Sequence, residues 1–155
     1  TYGMTETITH IAAKPIGEKA FSVLPNIKIA KDDRDCLVID APHVSNKVIV
    51  TNDLIELVGE NQFVFFGRID NIINSGGVKL IPEKIEEKLA TKIHSRFFVA
   101  GVKDADLGEN LVLIIEGENQ TFEDTIFDGL DKYEKPKEVF FFFFFNEKVN
   151  AMIKT

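Results

Sequence analysis

The sequence has a single cysteine, Cys36, among 155 residues. One thiol cannot build a disulfide framework within the chain or a zinc site made only of cysteines, and it fits a reducing compartment. The three histidines, His10, His43 and His94, lie far apart without the short spacing of metal ligands, so they do not predict a metal site. Because a single cysteine fits a reducing compartment, the predicted location is the cytoplasm.

Long apolar runs and basic runs are also missing. No apolar run reaches the about 18 to 20 residues that a transmembrane helix needs, and residues 1–7 lack the basic-then-apolar pattern of a signal peptide. The net charge is −7, so the sequence predicts neither a nucleic-acid partner nor an anionic membrane partner. The chain opens on Thr1 rather than on Met, and we expect it to be a piece of a longer protein. Its oligomeric state is left open.

The first part of the chain is rich in short β-type runs. With 45% hydrophobic and 28% charged residues, the composition is that of an ordinary globular protein. Apolar runs alternate with turn signals between residues 14 and 66, which predicts a small β-barrel-like subdomain, or a curled sheet, within a first domain of residues 1–69. The predicted strands are 20–24, 27–30, 36–39, 47–51 and 62–66.

The second part, residues 70–155, predicts a small α+β domain. The chain passes from a strand through a charged hinge and the glycine pair Gly76-Gly77 to a helix, which Pro82 opens and which runs to about residue 92. Two apolar runs, 96–102 and 110–116, predict strands. A capped helix is expected from Thr121 to before Pro136, and a last strand at 139–145.

Residues 67–86 carry a pattern at fixed spacing. The residue types alone favour an ordinary strand-loop-helix connection, since Gly-Gly turns are common. The pattern, however, resembles the hinge signature of the adenylate-forming superfamily, which comprises acyl-CoA synthetases, luciferases and peptide-synthetase adenylation domains. It reads Gly67-Arg68-x-Asp70-x-x-Ile73-x-x-x-Gly77-x-x-x-x-Pro82-x-x-Ile85-Glu86.

The start of the chain is similar to a second motif of that superfamily, Tyr-Gly-x-Thr-Glu, here Tyr2-Gly3-Met4-Thr5-Glu6. Taken alone, the six residues from Tyr2 to Thr7 favour a surface turn with Thr5 or Thr7 as a helix cap. The resemblance implies that Tyr2 and Gly3 contact the nucleotide, with Tyr2 against adenine. It also implies that Thr5 contacts the phosphate and that Glu6 is catalytic and holds Mg²⁺.

Further along, Asp53 directly follows a predicted strand, where a carboxylate can accept both hydrogen bonds of a ribose diol. A lone Asp is more often a turn former. The superfamily has Thr-Gly-Asp here, and this chain has Asn52 in place of the glycine. The resemblance implies that Asp53 contacts the ribose with help from Arg68, and that Asp70 is the hinge.

The resemblance assigns further roles in the second domain. One face of it serves adenylation, and the opposite face, with Gly76 and Gly77, serves thioester formation. The superfamily's catalytic lysine lies in a Gly-Lys-Ile triplet, and counting from Tyr133 and Pro136 without a gap places Met152 there. A shifted register would instead offer Lys148 or Lys154.

Before that triplet the chain has a run of six phenylalanines, residues 140–145, where the superfamily has mixed aliphatic residues and a proline. Such a run gives no alternation to fix the register of a strand and favours edge pairing. The phosphate-binding Ser/Thr/Gly-rich loop of the superfamily does not occur in this chain, so the isolated chain is expected to be inactive.

The implied reaction joins a small carboxylic acid to ATP, giving an acyl-adenylate and pyrophosphate, after which CoA displaces AMP to form a thioester. ATP, Mg²⁺ and CoA are the implied cofactors. Residues 2–12, 41–44 and 51–54 most resemble o-succinylbenzoate-CoA ligases of menaquinone biosynthesis, and His10 is a candidate for the border of the acyl pocket. The alternatives are another adenylating enzyme and a non-catalytic module that binds a nucleotide or a partner.

Overall fold

A computed structural model describes residues 1–119, 121 and 123–143. The chain divides into two compact units, Thr1–Asp70 and Asn71–Thr155. The division falls one residue beyond the predicted domain boundary, within a short 3-10 helix at Ile69–Asn71. Each unit has a sheet and a hydrophobic core of its own. No helix among the described residues is long and apolar enough to cross a membrane.

The first unit is a seven-stranded antiparallel sheet in the order β1-β2-β3-β7-β6-β5-β4. The strands are β1 (Tyr2–Gly3), β2 (His10–Ala13), β3 (Ala20–Val23), β4 (Lys28–Lys31), β5 (Cys36–Asp40), β6 (Ile49–Gly59) and β7 (Gln62–Arg68). Strands β1 and β4 are its two edges and do not pair, so the predicted barrel-like closure is wrong. Because β1 has only two residues, it offers too little backbone to close a barrel.

One face of this sheet buries the alternate apolar residues of its strands, as the period of two requires. Strand β5 contributes Leu37 and Ile39, and β7 contributes Phe63, all fully buried. The other buried members of the cluster are Ile11, Ala12, Ala41 and Ile55. Burial of this apolar area supplies the main driving force for folding of the unit.

Strand β6 is much longer than the run 47–51 that the sequence predicts. It continues through Asn52 and Asp53 to Gly59, pairing with β5 on one side and β7 on the other. The sequence predicts that the strand ends at Thr51, but the ladder continues through Asn52 and Asp53, with a register shift on the β5 side between the pairs Cys36–Leu54 and Val38–Val50. Asp53 therefore lies inside a strand, not after one.

The second unit is a five-stranded mixed sheet with one α-helix among the described residues. Its elements are β8 (Ile73–Ser75), β9 (Val78–Leu80), α1 (Pro82–Leu89), β10 (Phe97–Asp104), β11 (Gly108–Glu116) and β12 (Glu138–Phe142). Strand β11 is central: it pairs antiparallel with β10 and β8, and parallel with β12.

Helix α1 begins at Pro82 as predicted and ends at Leu89, three residues earlier than predicted. Proline suits the first helical turn because its missing N–H has no partner there in any helix. Ile85 and Leu89 lie one turn apart and are each 1% exposed, so they bury one helix face in the core of the unit. The α-helix expected between Thr121 and Pro136 is absent from the described residues, where Asp124–Phe127 forms only a 3-10 turn.

The glycine pair forms a hairpin, which differs from the loop that the sequence predicts. Ser75 of β8 pairs with Val78 of β9, and Gly76 and Gly77 between them have φ angles of 57° and 81°. Positive φ at both central residues matches the twist of a two-residue hairpin and favours glycine. The pair therefore has a structural reason independent of any ligand.

The phenylalanine run takes up a strand register after all. In β12, Val139 and Phe141 pack against the core, whereas Phe140 remains 39% exposed. Pairing with β11 places Val139 beside Leu113 and Phe141 beside Ile115, which fixes the alternation that the run itself does not encode. The end of the run, residues 144 and 145, lies outside the described residues.

Candidate nucleotide site

The motif at the start of the chain forms a strand followed by a tight turn. After β1, the residues Thr5–Thr7 make a 3-10 helix, and Thr7 is fully buried. The hydroxyl of Thr7 accepts a hydrogen bond from the N–H of Met4 (3.0 Å) and lies 2.9 Å and 2.8 Å from the carbonyls of Met4 and Thr9. One buried hydroxyl thus holds both ends of the turn, and the side chains of Thr5 and Glu6 are exposed.

Tyr2 and Asp53 meet although 51 positions separate them in the chain. The phenolic O–H of Tyr2 donates a hydrogen bond to Oδ2 of Asp53, whose side chain is buried. Burial of the phenol raises the pKa of Tyr2 far above its usual range, and the hydrogen bond to Asp53 raises it further. The hydroxyl therefore keeps its proton at neutral pH and remains a donor to the carboxylate.

Arg68 is the third member of this group. It is the cross-strand partner of Asp53 in the β6–β7 ladder, and the charge of Asp53 helps to raise the pKa of Arg68, after the larger effect of the hydrogen bond to Asp70. The guanidinium donates to Oδ2 of Asp70 at 3.1 Å. Three residues to which the resemblance assigns nucleotide contacts, Tyr2, Asp53 and Arg68, are thus brought together in the first unit.

A group of three phenylalanines, which the sequence analysis did not single out, supports Tyr2. The ring of Tyr2 lies 5.8 Å from Phe21 and 5.1 Å from Phe63 in T-shaped contacts, and 6.2 Å from Phe65. Phe21 and Phe63 are register partners in β3 and β7 and stack on each other at 5.5 Å. The alternation of Phe63 and Phe65 along β7 is the signal that could have revealed a shared aromatic face.

Gly3 and Glu6 have different structural situations. A Cβ at Gly3 would lie 2.7 Å from the carbonyl oxygen of Thr9, so the close approach of β1 and β2 requires glycine there. Glu6 presents an exposed carboxylate. Among the described residues no group of three or more His, Cys, Asp and Glu is placed to hold a metal. A single carboxylate still fits Mg²⁺ in an ATP site, because that ion commonly takes one or two carboxylates with phosphate oxygens and water.

The remaining predicted residues do not join this group within the first unit. Gly76 and Gly77 form the β8–β9 turn of the second unit. His10 is exposed in β2 and pairs with Gly3. Met152, which the resemblance predicts for the position of the catalytic lysine, lies outside the described residues, as do the alternatives Lys148 and Lys154.

A pair of carboxylates on α1 distinguishes the second unit. Glu86 accepts a hydrogen bond from the backbone N–H of Val99 in β10 at 2.9 Å, and Glu83 accepts one from the amide of Asn71 at 2.8 Å. Burial raises the pKa of Glu86, and the nearby charge of Glu83 adds to the effect against the opposing Val99 N–H. These carboxylates connect the helix to the sheet and to the first residue of the unit.

Comparison with solved structures places this geometry in a known fold. No protein-family model and no curated protein matches the sequence. The o-succinylbenzoate CoA synthetase (MenE) from Bacillus subtilis, solved with the acyl-adenylate intermediate OSB-AMP, matches with a TM-score of 0.76 and 22% identity over 94% of this chain and 37% of its own. ATP-bound MatB from Rhodopseudomonas palustris matches with a TM-score of 0.76 and 20% identity over 99% of this chain and 39% of its own.

The chain shares its fold with part of these proteins. An acyl-CoA synthetase (AMP-forming)/AMP-acid ligase II-like protein from Dyadobacter fermentans has a higher identity, 36%, over 94% of this chain and 45% of its own. Its TM-score of 0.47 is too low to establish a common arrangement. This chain spans less than half the length of each of the three proteins.

Proposed function

We propose that this chain is part of an AMP-forming acid-CoA ligase. In the first half-reaction an oxygen of the carboxylate attacks the α-phosphate of ATP, which forms the acyl-adenylate and releases pyrophosphate. In the second, the thiol of CoA attacks the acyl carbon, loses its proton and displaces AMP. The observation that carries the proposal is the meeting of Tyr2, Asp53 and Arg68, from distant parts of the chain, on a sheet with the fold of such proteins.

The chemistry of this group suits a nucleoside. A carboxylate can accept both hydroxyls of a ribose diol, and the bond from Tyr2 to Oδ2 of Asp53 fixes the carboxylate without using all of its acceptor positions. Arg68, on the neighbouring strand, adds a positive charge and further donors. The half-buried ring of Tyr2, held by its phenylalanine neighbours, is a rigid surface for a base to stack on.

Glu6 is the residue that we assign to Mg²⁺, and Thr5 to a phosphate. Bound Mg²⁺ would supply charge stabilisation to the phosphates. Both side chains are exposed beside the turn that Thr7 fixes, so they are available to a ligand. The assignment of the superfamily lysine position to Met152, and of Asp70, Gly76 and Gly77 to domain movement and thioester formation, likewise belongs to this proposal.

The acid is proposed to be o-succinylbenzoate, which would place the protein in menaquinone biosynthesis in the cytoplasm. The similarity of residues 2–12, 41–44 and 51–54 to such ligases supports it, together with the structural likeness to MenE bound to OSB-AMP. Another acyl- or aryl-CoA ligase or a peptide-synthetase adenylation domain would share the nucleotide site and differ in the acyl pocket. A synthesis assay with o-succinylbenzoate and other acids, using a full-length ligase that contains this chain, tests the choice.

The nucleotide assignment is tested on the chain itself by titration with AMP, followed by NMR. We expect weak binding, with shifts at Tyr2, Asp53 and Arg68. Asp53→Asn should weaken it about tenfold or more, the range for a hydrogen bond to a charged group. The matched ligand is 2′,3′-dideoxy-AMP, which lacks the diol and should bind Asp53→Asn and the unchanged chain equally. AMP shifts confined to other residues would contradict the assignment.

Turnover by the chain alone is not expected, because these residues contact only part of a nucleotide. A pyrophosphate-release assay with ATP and an acid should show neither a burst nor steady release, and either one would contradict this expectation. The competing hypothesis is a non-catalytic module that binds a nucleotide or a partner. A Ser/Thr/Gly-rich phosphate loop encoded directly upstream of Thr1 would decide for the ligase.

A further inference from the structure

The carboxylate of Asp70, the last residue of the first compact unit, is held by two neighbouring side chains. The side-chain amide of Asn52 donates to both of its oxygens, at 3.2 Å and 3.1 Å, and Arg68 donates to Oδ2 at 3.1 Å. The hydrogen bond from Arg68, and then the one from Asn52, lowers the pKa of Asp70. Asp70 thus remains a charged acceptor at neutral pH.

Asn52 is itself oriented by Arg34 from the β4–β5 turn. Nη1 of Arg34 donates to Oδ1 of Asn52 at 3.0 Å, and Nη2 donates to the carbonyl of Thr51 at 2.9 Å. A guanidinium only donates and a carboxylate only accepts, so the amide must turn its oxygen to Arg34 and its NH₂ to Asp70. Its orientation is therefore determined by charge on both sides.

Arg34 is anchored in turn by Asp32. The carboxylate of Asp32 accepts from Nε of Arg34 at 2.9 Å and from Nη2 at 2.7 Å, and its side chain is only 16% exposed. The result is a continuous line of contacts, Asp32–Arg34–Asn52–Asp70, which reaches from a hairpin turn across β6 to the end of the unit. We call this line the Asn52 brace.

The ion pair of Arg68 and Asp70 is a weak restraint by itself. Both side chains are 53% exposed, and pairs of that kind contribute little in water. Asn52 adds an NH₂ group that is already oriented, so little side-chain freedom is lost when it binds Asp70. Glycine, which the superfamily has at this position, offers no side-chain donor.

We propose that Asn52, oriented by Arg34, is a positioning residue that holds Asp70 and restrains the backbone where the first unit ends. The half-buried Asn52 bonds to Arg34 and Asp70, whereas the next residue of β6, Asp53, is buried and accepts from Tyr2. The brace meets the nucleotide group at Arg68, which donates to Asp70 and is the cross-strand partner of Asp53. The role of the Asn52 brace in catalysis rests on the proposed function, in which the backbone rotates at Asp70 between the half-reactions. The brace slows that rotation, whereas glycine at position 52 would not.

The test uses the chain as it is, without nucleotide, so its result does not depend on whether the chain binds AMP. The readouts are the titration of the Asp70 carboxyl by carbon NMR and the hydrogen-exchange rates of the backbone amides of residues 69–72. In Asn52→Gly and Asn52→Ala we expect the pKa of Asp70 to rise and exchange to quicken by about threefold to tenfold, the factor that one net hydrogen bond is worth. The alanine variant keeps a strand-compatible residue in β6 in case the glycine variant does not fold.

Asn26→Gly is the matched control. Asn26 is exposed and has a φ of 64°, which glycine adopts readily, so this variant should leave both readouts unchanged. A rescue variant combines Asn52→Asp with Asp70→Asn, so that the carboxylate at position 52 accepts from Arg34 and from the new amide. Asn52→Asp alone should speed exchange, and the combination should slow it again.

Unchanged exchange at residues 69–72 in both Asn52→Gly and Asn52→Ala would overturn the proposal. So would an unchanged pKa of Asp70 in those variants, or a combined variant that exchanges as fast as Asn52→Asp alone. If these tests succeed and the chain does not bind AMP, the proposal about Asn52 stands and the nucleotide assignment is contradicted. The failure of one proposal is therefore distinguishable from the failure of the other.

Discussion

The hydroxyl of Tyr2 is the group on which the candidate site can be tested most directly. Tyr2→Phe removes the donor to the buried carboxylate of Asp53 and keeps the ring among its phenylalanine neighbours. We expect a loss of about 1–3 kcal/mol in the free energy of unfolding, the cost of a buried acceptor without its partner. AMP binding should weaken by about threefold to tenfold because the carboxylate is no longer fixed. Urea denaturation and an AMP titration measure the two effects.

Tyr133→Phe is the control for this variant. It makes the same chemical change at a tyrosine that is 54% exposed, where surface substitutions stay within about 0.5 kcal/mol. Equal effects of the two substitutions, on stability or on AMP binding, would show that the hydroxyl of Tyr2 does not orient Asp53.

Glu86 predicts a pH dependence in the second unit. Burial raises its pKa, so the folded state favours its protonated form, and the stability that this contributes is present at acidic pH and lost as pH rises through the folded pKa. Glu86→Gln keeps an oxygen that can accept from Val99 and has no charge to bury. At pH 7 it should therefore stabilise the unit, by about 0.5 to 1 kcal/mol. The gain should disappear below about pH 4, where an unfolded Glu is also protonated.

Thermal unfolding of Glu86→Gln at several pH values, followed by a probe in the second unit, checks this prediction. Glu87→Gln makes the same change one residue along α1, at an exposed position, and should change the stability at pH 7 by less than about 0.5 kcal/mol. A Glu86→Gln variant that is less stable than the unchanged chain at pH 7, by a difference that shrinks toward acidic pH, would reverse the sign and refute the argument.

At the scale of elements, the turn after β1 depends on one hydroxyl. Thr7→Val keeps the shape of the side chain, but it removes the acceptor of the Met4 N–H and the donor that reaches the carbonyls. We expect a loss of about 1–3 kcal/mol. Thr7→Ser restores the hydroxyl and should recover much of it. Hydrogen exchange at Met4 should quicken in the valine variant alone; slow exchange there would show that another group holds the turn.

The elements also show where sequence reasoning succeeds and where it fails. Strands β3 and β7 lie close to their predicted positions, because their apolar runs are bounded by turn residues. The predicted strand ends before Asn52 and Asp53, because these residues have a local preference for turns. In the structure β6 continues through them, because strands on both sides pair with it. The β8–β9 hairpin was missed because its three-residue strands are too short to show a period, although its glycine pair was visible.

Contacts between distant residues account for what the sequence could not show of the site. The motif pattern identified Tyr2, Asp53 and Arg68 as candidates, and the fold brings these three together. Nothing in the sequence indicated that Tyr2 would donate to Asp53, or that Arg34 would reach Asn52, since both contacts depend on the order of strands in the sheet. Only the difference between Asn52 and the glycine of the motif that the sequence resembles marked that position in advance.

For the whole molecule, the division into two units at Asp70, taken together with the proposed ligase function, predicts that proline there affects the two half-reactions unequally. Proline fixes its own φ near −65° and restricts Ile69, so one arrangement of the backbone at the junction is favoured at the expense of any other. If the two half-reactions need different arrangements, Asp70→Pro in a full-length ligase containing this chain should slow one of them at least about tenfold more than the other. Adenylate formation is measured by pyrophosphate release, and thioester formation by supplying a pre-made acyl-adenylate with CoA.

Asp70→Ala separates this backbone effect from the loss of the carboxylate. Both variants lose the contacts with Asn52 and Arg68, but alanine leaves φ free, so the chain can still reach both arrangements. We expect the alanine variant to change the two rates by similar factors, since the contacts of the Asn52 brace are lost whichever half-reaction is measured. Equal slowing of both half-reactions by proline would show that residue 70 supports the structure without acting as a hinge. The two-unit architecture predicts that Asp70→Pro and Asp70→Ala differ in the rate of only one of the two half-reactions.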